Sequence, residues 1–234
     1  LRYNNIAMKF EKRLGKFELL VSAFSSKSEI TLLYDRTVVK EAIVYGELKE
    51  DDVKLKATGY DLPLLVNFEE EIIISPNFRE LLFVPIPPSV EVVIKQGPVY
   101  LNFHVSPVPL KKGYKAHYFP EDDFYYTISV TPDFSPFNDY YYYIPIRLRS
   151  QEKKIVALRG LPLEAYQLDW YIHKNLIVSE IVECVEKGNE LSLYFTAKPF
   201  YEDGLNVGSG EENAQLLGRK RQLKKDFEML NWRQ

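Results

Sequence analysis

The chain has 234 residues, with 30 Lys+Arg against 33 Asp+Glu, and 46% of it is hydrophobic, which excludes a disordered or collagen-like chain. A single Cys excludes a disulfide scaffold and a four-thiolate zinc site, and no apolar run approaches the ~20 residues of a membrane helix. The 17 Tyr and 14 Phe, with Val and Ile, favour pleated sheet.

Elements are predicted from periodicity in chain order. Strands are expected over 17–24, 29–34, 37–46 and 53–58, where Val53, Leu55 and Ala57 alternate with Lys54, Lys56 and Thr58. Further strands are expected over 69–75, 78–85, 89–96, 98–106, 114–120, 124–131, 140–149, 153–158, 176–186 and 190–197. Ser-Pro-Asn at 75–77, Pro87-Pro88, Gly97-Pro98 and Lys187-Gly188-Asn189 separate them. A hairpin about Gly188-Asn189 sets Cys184 opposite Leu193 and Val182 opposite Phe195, making Cys184 a small buried hydrophobe. Phe83-Val-Pro-Ile86 is echoed by Tyr143-Ile-Pro-Ile146, as a duplicated unit or two unrelated hairpins would produce. Ser209 and Glu212 form a capping box before Leu216, Leu223, Phe227 and Leu230, which predicts an amphipathic helix.

The fold class expected is therefore all-β, one or two packed antiparallel sandwiches, with a C-terminal amphipathic α-helix. The expected division is 1–110, 111–205 and a helix in 206–234, with a single 1–205 β domain as the alternative. The segment Leu1 to Phe10 lacks the apolar core of a secretory signal, so a cytoplasmic protein is expected.

The stretch Leu62 to Ile94 (LPLLVNFEEEIIISPNFRELLFVPIPPSVEVVI) resembles an archaeal family catalogued as a domain of unknown function. That resemblance implies an archaeal, heat-adapted origin and brings no catalytic residues.

No phosphate loop, dinucleotide-binding glycine motif, HExxH or GxSxG elbow occurs, so the sequence specifies no activity. Three groups carry the functional expectations. Alternation puts Tyr140 and Tyr142 with the core residues Ile144, Ile146 and Leu148, and sets Tyr141, Tyr143, Arg147 and Arg149 on the opposite face. Rings beside guanidinium groups can stack on a saccharide or a partner protein; the competing reading covers that face and makes the tyrosines core. Pro145 marks the strand as an edge or a bulge.

A symmetric hairpin about Leu110-Lys111 sets His104 opposite His117, a pair that could bind a divalent metal, although no third ligand is specified. His173 is expected to pack with aromatic neighbours. In the tail, Arg219, Lys220, Arg221, Lys224 and Lys225 form a basic patch on the helix whose apolar stripe would dock or dimerise.

The leading expectation is a non-catalytic binding or assembly module, with a protein partner or self-association and no cofactor. A metal-dependent or carbohydrate-active enzyme at His104/His117 comes second, and nucleic-acid binding by the basic tail third.

Overall fold

A computed structural model describes residues 8–76, 78, 81–114, 124–136, 138–150, 155–187, 190–208 and 223–225. They form strands and two single-turn 3-10 helices, at Glu50–Asp52 and Ala165–Gln167, so the protein is all β among the described residues. The chain divides into two compact units, Leu1–Thr58 with Pro87–Pro109, and Gly59–Ile86 with Leu110–Gln234.

In the first unit, β1 (Met8–Leu14), β2 (Phe17–Ala23), β3 (Lys27–Tyr34) and β4 (Thr37–Tyr45) form an antiparallel meander in chain order. The period of two buries Phe17, Leu19, Val21 and Ala23 of β2 and Ile30 and Leu32 of β3. Asp35 and Arg36 both take positive φ, 46° and 69°, the two-residue turn whose twist matches the flanking strands. After β5 (Val53–Ala57) the chain enters the second unit for β6 (Leu64–Ile74) and β7 (Leu81–Ile86). It returns for β8 (Val90–Gln96) and β9 (Val99–Val105), which complete a three-stranded antiparallel sheet ordered β5-β8-β9. The expected 1–110 unit thus surrenders residues 59–86, because β6 and β7 find their ladders in the second unit.

The second unit holds two sheets. One is ordered β10-β11-β6-β13, with β10 (Lys111–Tyr114), β11 (Phe124–Val130) and β13 (Val156–Leu163). The other runs β17-β14-β15-β12-β7, through β12 (Tyr142–Ser150), β14 (Trp170–His173), β15 (Leu176–Lys187) and β17 (Leu205–Gly208). On one edge of β15, β14 pairs with its first half and β16 (Glu190–Pro199) with its second. The β15–β16 hairpin takes the expected register, with Cys184 opposite Leu193 and Val182 opposite Phe195.

Two ladders depart from the antiparallel expectation: β11 lies parallel to β6, and β12 parallel to β15. Parallel neighbours need a crossover. Here the chain crosses through β13 in the other sheet between β12 and β15, a connection that period-two alternation does not encode.

The echoed segments Phe83–Ile86 and Tyr143–Ile146 prove to be partners. Phe83 faces Pro145 and Tyr143 faces Pro85 in the β7–β12 ladder. Phe83 exchanges its N–H and C=O with Asp133, so its polar groups point away from β12. Both aromatic–proline pairs therefore occupy non-hydrogen-bonded positions, where the missing proline donor costs this ladder nothing. Pro145 lies in a central strand, at a bulge: β15 carries one residue more than β12 between Tyr143↔Val178 and Ile146↔Val182. Of its two expected settings, edge or bulge, the bulge is the one observed.

Of the expected C-terminal helix only Leu223–Lys225 is described, and these residues form a strand, β18, along β16. Leu216, Arg219, Lys220, Arg221, Phe227 and Leu230 lie outside the described residues.

Candidate functional site

Three adjacent strands, β12, β15 and β16, share one face at the C-terminal end of β12. Their ladders align Arg147, Glu183 and Tyr194 in one row, and Arg149, Val185 and Ser192 in the next. Arg147 Nη1 donates to Glu183 Oε1 at 3.0 Å, and Arg149 Nη2 stands 3.6 Å from the same oxygen. One carboxylate thus serves two guanidinium groups, leaving one positive charge uncompensated within the triad. The Arg149 side chain is 56% exposed, while Arg147, Glu183 and Tyr194 are half-buried.

The other end of this face is covered. Tyr143 is fully buried, and with Phe83 and Val178 it forms a cluster capped by Phe200 and Tyr201, which follow β16. The Phe200 ring meets Phe83 edge-on at 4.9 Å, and Tyr201 stacks on His173 at 4.1 Å and 16°. Asp203 Oδ1 lies 2.8 Å from His173 Nδ1, and the Tyr143 hydroxyl accepts the Asn138 N–H. Tyr143 therefore lies on the strand face expected for it but is core rather than contact surface. His173 packs with an aromatic ring as expected, but the ring is that of Tyr201, distant in the chain from the Trp170-Tyr-Ile-His context. Tyr141 is 41% exposed just before β12, and Tyr140, expected in the core, is 47% exposed. Tyr142 alone of that pair is buried, its ring 5.4 Å from Trp170.

The His104/His117 pairing is not formed by the described part of its hairpin. The connection after Ser106 leads into β10, which pairs with β11 rather than turning back on β9. His117 lies outside the described residues. His104 instead faces Glu91 across β8–β9, its Nε2 3.8 Å from Oε1, while Asn102 Nδ2 donates to that oxygen at 2.7 Å. Among the described residues no three His, Cys, Asp or Glu side chains group as a metal site. Within the basic patch, Lys224 and Lys225 are placed on β18 opposite Ser192 and Leu191.

Two buried titratable groups serve the fold. Cys184 lies in the core of the β15–β16 ladder, and burial, with the charge of Glu186 second, pushes its thiol far above the usual range. Glu180, only 3% exposed, accepts the N–H groups of Ala197 and Asp169. Burial raises its pKa most, the Asp169 charge adds to the rise, and the N–H donors oppose it.

Glu183 and Tyr194 belong to the exposed face yet are absent from the group expected there. The hairpin register about Gly188-Asn189 already sets Glu183 opposite Tyr194; the alignment of β12 beside β15 is the part without a sequence signal. No protein-family model, curated protein or solved structure matches the chain.

Proposed function

We propose that the protein is a non-catalytic binding or assembly module that works through the exposed face of β12, β15 and β16. The second unit reads as a sandwich of its two sheets, with this face turned to solvent. The observation that carries the proposal is the sharing of Glu183 Oε1 by Arg147 and Arg149 beside Tyr194. Arginine and tyrosine are the residues that most often anchor interfaces, because each offers a large rigid contact with polar ends.

The test compares the full chain with the double variant Arg149→Ala/Tyr194→Ala. Light scattering measures self-association, and fluorescence anisotropy measures binding of an acidic peptide, a neutral oligosaccharide and an oligothymidylate. Self-association or binding of one probe that the double variant loses supports the reading. A chain that stays monomeric and binds none of the three overturns it, as does binding indifferent to the double variant.

A further inference from the structure

We infer that the ligand of this face is an extended acidic segment of a partner protein, and that Glu183 acts as its internal competitor. The inference rests on the binding-face reading above. Each guanidinium carries five donors, and a single carboxylate oxygen engages both groups. Their pairing therefore leaves donors unused and leaves the triad one charge positive. An acceptor-only group with two oxygens, a carboxylate, fits the planar fork of arginine bidentately.

Spacing supports an extended peptide. Arg147 and Arg149 are two residues apart on one strand, which sets their Cα atoms roughly 6.6 Å apart along it. Side chains at alternate positions of an extended acidic segment repeat at the same interval. The rows across the ladders are Leu81, Arg147, Glu183 and Tyr194, and then Arg149, Val185, Ser192 and Lys224, so Glu183 is the one acid in these described rows. A partner carboxylate meets no second negative charge there.

The same observations weigh against a nucleic acid. Affinity for a polyanion grows with the number of phosphates neutralised, and the described rows hold three cations, Arg147, Arg149 and, by its register position, Lys224, with one fixed carboxylate. The chain's net charge of −3 opposes a polyanion further. A neutral saccharide would use Tyr194 but gives no role to the doubled guanidinium.

Glu183 makes the inference testable, because removing it should strengthen rather than weaken the site. The experiment measures anisotropy of a fluorescein-labelled peptide of four Glu-Val repeats, with a Lys-Val peptide, a neutral oligosaccharide and an oligothymidylate alongside. Wild type should bind the acidic peptide with an affinity that falls as salt rises. Glu183→Gln should tighten it about fivefold, the effect of one exposed charge. Arg147→Ala/Arg149→Ala should weaken it about tenfold or more, and Arg147→Lys/Arg149→Lys should fall between, since charge stays and the fork is lost.

Glu183→Gln that weakens binding or leaves it unchanged overturns the inference. So does an oligothymidylate that binds tighter than the peptide and is lost with the arginines. Oligosaccharide binding that needs Tyr194 and ignores Glu183 ends the acidic-partner inference while the binding face stands. Indifference of every probe to all these variants ends both.

Discussion

Glu180 accepts the backbone N–H of Ala197 where β15 and β16 slip out of register, between the pairs Glu180↔Pro199 and Val182↔Phe195. Ala197 sits there at φ 52°, a left-handed conformation that a β-carbon disfavours. The same carboxylate receives the Asp169 N–H from the turn before β14, so one buried side chain ties the bulge to the neighbouring loop. Glu180→Ala leaves both donors without this acceptor and is expected to lower stability by about 1–3 kcal/mol per orphaned group in urea unfolding. Unchanged stability would mean that water or a relaxed backbone takes its place.

The direction of the Glu180 pKa shift sets a pH dependence. Its folded value lies above the ordinary carboxylate value, so the folded state holds the proton more tightly than the unfolded chain. Its contribution to stability is complete below the ordinary carboxylate range and declines as pH rises through the folded value. Wild type should therefore lose stability relative to Glu180→Gln across that window, measured as urea unfolding from acid to neutral pH. A difference between the two that stays flat contradicts the assignment.

Phe200 covers Phe83 from outside the strand that carries Tyr143. Phe200→Ala should cost about 1–2 kcal/mol, part of the transfer free energy of a phenyl side chain that is only partly buried, and should raise the accessibility of Tyr143. Phe134→Ala, at a ring 61% exposed, is the control and should stay within ±0.5 kcal/mol of wild type. Equal thermal midpoints for the two variants would deny Phe200 its covering role.

Gly160 lies at the register shift of β13 against β6, and a β-carbon there would collide with the Val66 carbonyl oxygen. Two backbones approach too closely for any side chain. Gly160→Ala should destabilise by about 1–3 kcal/mol through forced separation of the strands. A variant as stable as wild type would show that the ladder opens there without cost.

Cys184 should be inert in the native protein. Its thiol is buried and its ionisation suppressed, while reaction with an aromatic disulfide reagent needs an exposed thiolate. Labelling should be slow in buffer and complete in denaturant, and Val182→Ala, which opens the same ladder, should accelerate it. Immediate reaction in buffer would contradict the burial.

Much of this architecture was legible in residues close together in the chain. Alternation in Phe124–Val130 and the Gly188-Asn189 turn specify a strand and a hairpin register, because each depends on local geometry and on partners a few residues away. It also places Tyr143 and Arg147 on one face of β12 correctly, since β7 pairs with that strand without a slip. Strands β1, β14 and β17 were not foreseen, β10 precedes the strand expected over 114–120, and β18 lies where a helix is expected. Trp170–His173 and Leu205–Gly208 hold four residues each, too few for periodicity to register.

What the sequence by itself determined is the all-β character and the list of side chains that share each strand face; both follow from the period of two and from turn chemistry. The tertiary structure decided which faces are covered. Phe200 and Tyr201 bury Tyr143 from more than fifty residues away, and the crossover of β12 onto β15 sets Arg147 and Arg149 at Glu183. Among the described residues the Tyr and Phe surplus therefore divides between core rings, such as Phe83 and Tyr143, and exposed ones, such as Tyr140 and Tyr141. That division depends on packing between segments distant in the chain, which local periodicity does not carry.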